Sequence, residues 1–437
     1  FIQKMKQIHQ SRADPGQSTA PSPSLHIFLQ AGLHIDQAMS TKLAAVAGLV
    51  LLLAALNAAG VESQRLPPLP PGCHYTYDIL RRLVVTICDN PTPSPPAALT
   101  SPSMFVFGDS FADNGNLPKD TQQLSLISRQ WYDPYGASYG QDNGTAAGKF
   151  NPTGRFSNYL VQSDFIGRIL GMNEAPPTYI SSGINGNCDN AGMTFAAGGS
   201  GVFPVPLGVP TLSDQLDNFE RLVASGCITK AQIDASVVLI AVSGNDYDRV
   251  GVAQPSAFGD VTVFIRNVTS QIAAAVDRLE KVGVNKILVN NLHPVGCTPA
   301  QTVLSKYATC DGAGNTASKT HNENLHQLLA DNGNVMLLDL YGAFIGIVDK
   351  EHAGNKGSDL SRQFKNKKTP CCVGNDPTGF CGQMSSDAEN PVELYTVCPN
   401  PEKHFFWDEM NPTQAGWTAI MTQLEGAIRQ FIWPSQS

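Results

Sequence analysis

The order of apolar runs along this chain predicts an α/β protein: a three-layer α/β/α sandwich built on a mainly parallel five-stranded sheet. Two observations carry that expectation. First, five short stretches are almost continuously apolar: "MFVF" from Met104, "MTFA" from Met193, "VVLIAV" from Val237, "KILVNN" from Lys286 and "VMLLDL" from Val335. Strands covered on both faces read this way, whereas a half-exposed strand alternates. Second, residues 158–170, 212–224, 263–282, 318–330 and 413–432 place apolar side chains at helical spacing between and after those runs. Parallel neighbours need crossover connections, and helices are the usual ones, so strict alternation of the two patterns implies helices on both faces of one sheet. There is no internal repeat and no sign of a second domain.

Composition bounds what such a domain can do. With 42% hydrophobic and 15% charged side chains over 437 residues, the chain can bury a large core and is not disordered. Its formal net charge of -8 would repel a phosphate backbone, which excludes nucleic acid as a partner, and the lysines at 365, 367 and 368 read as a solvated loop.

Four segments are expected. Residues 1–38 begin with Phe and read as a non-native or over-extended piece. Residues 39–63 follow with one lysine, an apolar stretch from Leu43 to Leu56 and then small residues, which is the layout of a secretory signal peptide. Fourteen apolar residues fall short of the ~20 that cross a bilayer, so no stable membrane span is expected. Residues 64–102, with "PPLPP" and "PTPSPP", read as a linker or insertion, and residues 103–433 as the folded domain. Ten cysteines and the sequons at Asn143 and Asn267 fit a secreted glycoprotein. Cys371, Cys372, Cys381 and Cys398 lack a Cys-x-x-Cys pair, which favours disulfides over a zinc site and leaves their connectivity open.

In a parallel sheet, ligands bind beyond the carboxyl ends of the strands. "GDSFADNGN", "AGGSG", "SGNDY" and "LHPVGC" stand there. Ser110 follows a glycine at a strand-to-loop turn, a place that suits a nucleophile, although Asp109 and Ser110 alone could equally cap a helix. Asn245 could aim its amide at a developing oxyanion beside the Ser110 and Gly199 N–H groups. Taken singly, Gly198 and Gly199 are explained by a tight turn and Asn245 by a local side-chain turn.

Together, "FVFGDSFADNGN", "GRFSN" at 154–158, "FAAGGSG" at 195–201, "SGND" at 243–246, "HPVGC" at 293–297 and the terminal "FFWDEMNPTQAGW" make residues 104–432 resemble the plant GDSL esterase/lipase family of the SGNH hydrolases. The resemblance implies an SGNH-hydrolase-like fold and hydrolysis of carboxylic esters of lipids or acylated cell-wall carbohydrates. It implies a monomer without metal or organic cofactor, exported to the cell wall or apoplast. It makes Ser110 the nucleophile, Ser110, Gly199 and Asn245 the oxyanion hole, and Asp408 the acid that orients a histidine. The family's Asp-x-x-His-Pro-Thr reads here Asp408-x-x-Asn411-Pro412-Thr413.

An amide is not basic near pH 7, so Asn411 can hold a hydrogen bond but cannot take the proton of Ser110. Asn411 would suit a helix N-cap, with Pro412 at the first helical position and Gln414 as a capping-box partner. Of the nine histidines, His293 and His404 lie near motifs and are weaker alternative bases, while His321 and His326 read as surface residues. Three readings stay open: an ester hydrolase or acyltransferase with altered catalysis, an inactive relative that binds lipid or acetylated polysaccharide, and an error in the sequence at Asn411.

Overall fold

The computed structural model describes residues 73–78, 83–88 and 102–434, apart from 120–127, 139–150, 205–207, 248–260, 353, 355–357, 377–378 and 386–389. The expectations for residues 1–38 and 39–63, and the sequon at Asn143, lie outside the described residues. Within the segment expected as a linker or insertion, β1 (Cys73–Asp78) and β2 (Leu83–Cys88) form a two-stranded sheet. β-branched residues in "LVVTI" suit such a strand.

The central sheet contains β3 (Met104–Gly108), β4 (Gly192–Thr194), β5 (Val237–Ala241), β6 (Ile287–Asn290) and β7 (Val335–Leu338) in the order β4-β3-β5-β6-β7. Every neighbouring pair is parallel. Side chains alternate across each strand, and the alternation divides the core into two layers. Met104, Val106, Leu239 and Leu288 face one side, where they meet α1 (Gln162–Ile169), α5 (Leu340–Val348) and α6 (Gln414–Ile432). Phe105, Phe107, Val238, Ile240 and Val289 face the other, against α2 (Leu212–Ala224), α3 (Val261–Val282) and α4 (Gly312–Leu329). Phe219 of α2 stands edge-on to Phe105 at 5.0 Å and to Phe107 at 5.5 Å. Each of these buried rings stabilises the fold by about 1.5–3 kcal/mol relative to exposure.

Helix starts depend on caps more than on periodicity. α2 begins at a reciprocal box in which the Thr211 hydroxyl accepts from the Asp214 N–H at 3.2 Å and the Asp214 carboxylate accepts from the Thr211 N–H at 2.8 Å. α4 begins six residues before the expected start, because the Asp311 carboxylate accepts from the Gly314 N–H at 2.8 Å and offsets the poor helix propensity of Gly312 and Gly314. α6 corrects the expected cap: Thr413, not Asn411, is the N-cap, and its hydroxyl accepts from the Gly416 N–H at 2.9 Å. Asn411 and Pro412 stay in the preceding loop, where the Trp407 N–H donates to the Asn411 carbonyl at 2.7 Å and the Thr413 N–H to the Phe405 carbonyl at 2.9 Å.

Two further elements left no pattern to read. α5 is apolar all round, so it carries no amphipathic period. β8 (Cys372–Gly374) and β9 (Tyr395–Val397) form a small antiparallel pair of three residues each. Disulfides join Cys188 to Cys227, Cys297 to Cys310, Cys371 to Cys398 and Cys372 to Cys381, as the disulfide expectation required. Cys371, Cys398 and His404 stand close enough to suggest a metal, but the two sulfurs are bonded to each other.

Candidate active site

Ser110 stands one residue beyond Asp109, at the carboxyl end of β3. The turn before it requires glycine: Gly108 has φ +128°, and a Cβ there would stand 2.0 Å from the Ala241 carbonyl oxygen of β5. Gln215 of α2 grips the same residue from both sides, its Oε1 accepting from the Gly108 N–H and its Nε2 donating to the Gly108 carbonyl, each at 2.8 Å. The neighbours of Ser110 are buried anchors. Phe111 packs against His293 at 5.0 Å and Trp417 at 5.0 Å. The Asp109 carboxylate accepts from the Phe111 N–H, the Ser243 N–H and hydroxyl, and the Asn245 amide. Between them Ser110 is left half-buried, with its hydroxyl facing the loop after Trp407.

Burial pushes the Asp109 carboxyl up to about 7, against the hydrogen bonds from Ser243 and Phe111 that favour its charge. Asp113 is pushed up to about 6 by the same cause. It braces the second loop of the site, accepting from the N–H groups of Gly115, Asn116 and Leu117 and from the Gly198 N–H at 2.8 Å. Gly199 follows with φ +81°. Among the described residues neither the Ser110 N–H nor the Gly199 N–H has a hydrogen-bond acceptor. The Asn245 amide donates to Asp109 at 3.1 Å and to the Ser200 carbonyl at 2.8 Å, so both its hydrogens tie the first loop to the second. To reach an oxyanion it must exchange one of those bonds.

The opposite side of Ser110 is the loop from Phe405 to Thr413. Phe405, Phe406 and Trp407 are fully buried and fix its base. The Ser110 hydroxyl donates to Asn411 Oδ1 at 2.8 Å, and Asn411 Nδ2 donates to both Asp408 oxygens, at 3.0 and 3.1 Å. The orientation of the amide follows from chemistry: an ionised carboxylate only accepts, so Nδ2 faces Asp408 and Oδ1 faces Ser110. Asp408 Oδ1 also accepts from the Met410 and Asn411 N–H groups, at 2.9 and 2.7 Å. The "GRFSN" stretch supports this loop from outside, with Asn158 Oδ1 accepting from the Gln414 N–H at 2.8 Å and the Ser157 hydroxyl donating to the Pro412 carbonyl at 3.3 Å.

Two residues at the site escaped the sequence: Arg129 and Tyr135 both donate to Asp408 Oδ2, at 3.1 and 2.8 Å. Their partner lies more than 270 residues away, which no local pattern records. The other histidines stand apart from Ser110. His293 is buried between Phe111 and Phe344, neither ring nitrogen has a partner among the described residues, and burial pushes it down to about 3. His404 is held by Asn366 at 2.8 Å and the Asn400 carbonyl at 3.2 Å. His321 corrects the expectation of a surface residue: it is buried, with Nδ1 2.6 Å from the Tyr247 hydroxyl, because the face of α4 it occupies packs on α3 and the loop after β5. His326 is exposed. A cleft of about 540 Å³ bounded by Asn291, Lys319, His326 and Tyr341 contains none of the site residues.

A serine at the carboxyl end of a parallel sheet, joined through residue 411 to a buried carboxylate, is the layout of a serine-hydrolase site on an α/β sandwich. The comparisons agree. Residues 104–424 match the family model of the GDSL-like lipase/acylhydrolase domain. The chain is 33% identical over 334 residues to GDSL esterase/lipase At5g03610 of Arabidopsis thaliana, covering 74% of this chain and 86% of that protein. It is 33% identical over 342 residues to GDSL esterase/lipase At3g09930 of the same plant, covering 76% and 89%. GDSL esterase/lipase At5g03600 is 30% identical over 343 residues, covering 76% and 95%. The chain belongs to the GDSL-like lipase/acylhydrolase family, a class of carboxylic-ester hydrolases.

Proposed function

We propose that the chain is a secreted carboxylic-ester hydrolase acting on lipid or acylated carbohydrate esters through an acyl-enzyme at Ser110, with turnover lowered by Asn411 in place of the family's histidine. The observation that carries this reading is the continuous hydrogen-bond chain from Ser110 through Asn411 to Asp408. In it the serine hydroxyl attacks the ester carbonyl and the Ser110 and Gly199 N–H groups receive the developing oxyanion, while the serine proton, which the family's histidine would take, passes here to solvent water or hydroxide. The amide fills the place of that base in shape and in hydrogen bonding, but it accepts no proton. Loss of the histidine in other serine hydrolases costs up to about 10⁶ in turnover, and what remains comes from the oxyanion hole and binding.

The four disulfides among the described residues support an oxidising compartment, and Asn267 is exposed on α3, where a glycan could attach. No helix among the described residues is long and apolar enough to cross a membrane.

One observation favours a second reading. The Ser110 proton is engaged by a group that cannot remove it, which suits a protein that holds an ester or acylated polysaccharide without cleaving it. A fluorophosphonate probe separates the two. Slow labelling of the wild type at Ser110, abolished in Ser110→Ala, is the result for an impaired hydrolase. A folded protein that stays unlabelled through a day of exposure sinks that reading and leaves the binding protein.

A further inference from the structure

We infer that Arg129 and Tyr135 are positioning residues for the reaction: by donating to Asp408 Oδ2 they fix the plane of that carboxylate, and with it which way the side chain at 411 faces Ser110. The inference rests on the hydrolase reading of the Ser110 site. Its ground is a division of labour on one buried carboxylate. Oδ2 receives the Tyr135 hydroxyl at 2.8 Å and Arg129 Nη2 at 3.1 Å, both from the stretch 129–135. Oδ1 receives the Met410 and Asn411 N–H groups of its own loop. Asn411 Nδ2 reaches both oxygens from the remaining side. A carboxylate held at both ends cannot rotate, so residue 411 has one orientation that satisfies it, and that orientation directs its far end at Ser110.

Filling space does not account for these groups. Arg129 is 5% exposed, and its Nε and Nη1 have no partner among the described residues. They face the rings of Tyr135, Phe156 and Phe380, 5.8–5.9 Å from the guanidinium carbon. An aliphatic residue would fill that place without leaving donors unsatisfied. Burial works against the guanidinium charge, while Glu409, Tyr135 and Asp408 outweigh it and hold the proton on. Arg129 pairs with Glu409 at 2.5 Å and with Asp408 at 3.1 Å. One cation thus faces two carboxylates. With both ionised, the cluster carries one negative charge in excess, which a protonated imidazole at 411 would neutralise.

The test introduces that imidazole and reads its proton affinity by NMR, a quantity that needs no turnover. Asn411→His is titrated alone and combined with Arg129→Gln or with Tyr135→Phe. Removing the cation beside Asp408 should raise the proton affinity of the introduced imidazole about tenfold, and Tyr135→Phe should raise it in the same direction by a smaller factor, because each leaves the carboxylate less offset. Tyr135→Phe should also lower kcat of the Asn411→His protein on a short-chain ester with little change in KM. Titrations that coincide within about 1.5-fold in folded proteins would overturn the inference and make both residues structural. Should Arg129→Gln fail to fold, Tyr135→Phe decides alone, since it removes one hydroxyl and keeps the ring. An Asn411→His protein that titrates as expected but hydrolyses nothing contradicts the hydrolase reading and not this one.

Discussion

Among single residues, His293 shows how environment separates a candidate base from a core residue. His293 follows β6 and packs against Phe111, the neighbour of Ser110, yet Phe111 and Phe344 enclose it and no acceptor or donor meets either nitrogen among the described residues. Burial pushes its imidazole down to about 3 from an ordinary 6.5. As pH falls, the unfolded chain therefore takes the proton first, and stability is lost below about 6.5 until the folded imidazole also titrates. His293→Phe, which keeps an aromatic ring in that cluster, removes this loss. Its melting temperature relative to wild type should be higher at pH 5 than at pH 8, by the equivalent of about 2 kcal/mol. An equal difference at the two pH values would show that His293 is solvated or hydrogen-bonded. At this scale Ser110, Asp408 and the residue between them were legible from motif order. Arg129 and Tyr135 were not, because a buried ion pair with so distant a partner has no spacing to detect.

The elements explain which parts of the site were predictable. Strands β3 to β7 were visible as apolar runs, and so were the loops that follow them, because burial on both faces writes itself into composition. The start of α2 at residue 212 was read correctly, whereas α4 and α6 start where caps the sequence reading did not pick out place them. Thr413 and not Asn411 begins α6, since the Asn411 side chain is drawn to Asp408 and Ser110. β8 is too short to show a period, but it braces the Phe405–Thr413 loop: the Cys371 and Cys372 N–H groups donate to the Phe406 and Trp407 carbonyls, at 3.0 and 2.7 Å. The disulfides of those two cysteines thereby hold the loop that carries Asp408. Replacing Cys372 and Cys381 by serine should lower stability by about 2–3 kcal/mol in denaturant unfolding. It should also slow fluorophosphonate labelling of Ser110. Unchanged labelling in a destabilised protein would separate the disulfide from the site.

On the scale of the whole molecule, the sheet brings together residues that the chain holds far apart, Ser110 and Asn411 being 301 positions from each other. Alternation of strand and helix was enough to predict a parallel sheet with its chemistry at the carboxyl edge. Strand order and the braces on the acid loop required the folded chain. The cysteine content and the leader-like stretch fit export, and expression from Met39 should yield secreted protein that lacks its first ~20 residues and migrates faster after glycan removal. Retention in the cell with the leader intact would contradict that. The proposed function requires that this fold keep a complete hydrolase site except for the proton acceptor at 411. Steady-state hydrolysis of a short-chain ester by Asn411→His tests it directly. Because Thr413 caps α6, the change should leave the helix start intact, and turnover should rise by on the order of 10² or more over wild type and vanish again when Ser110→Ala is added. A folded Asn411→His protein no more active than wild type would contradict the account.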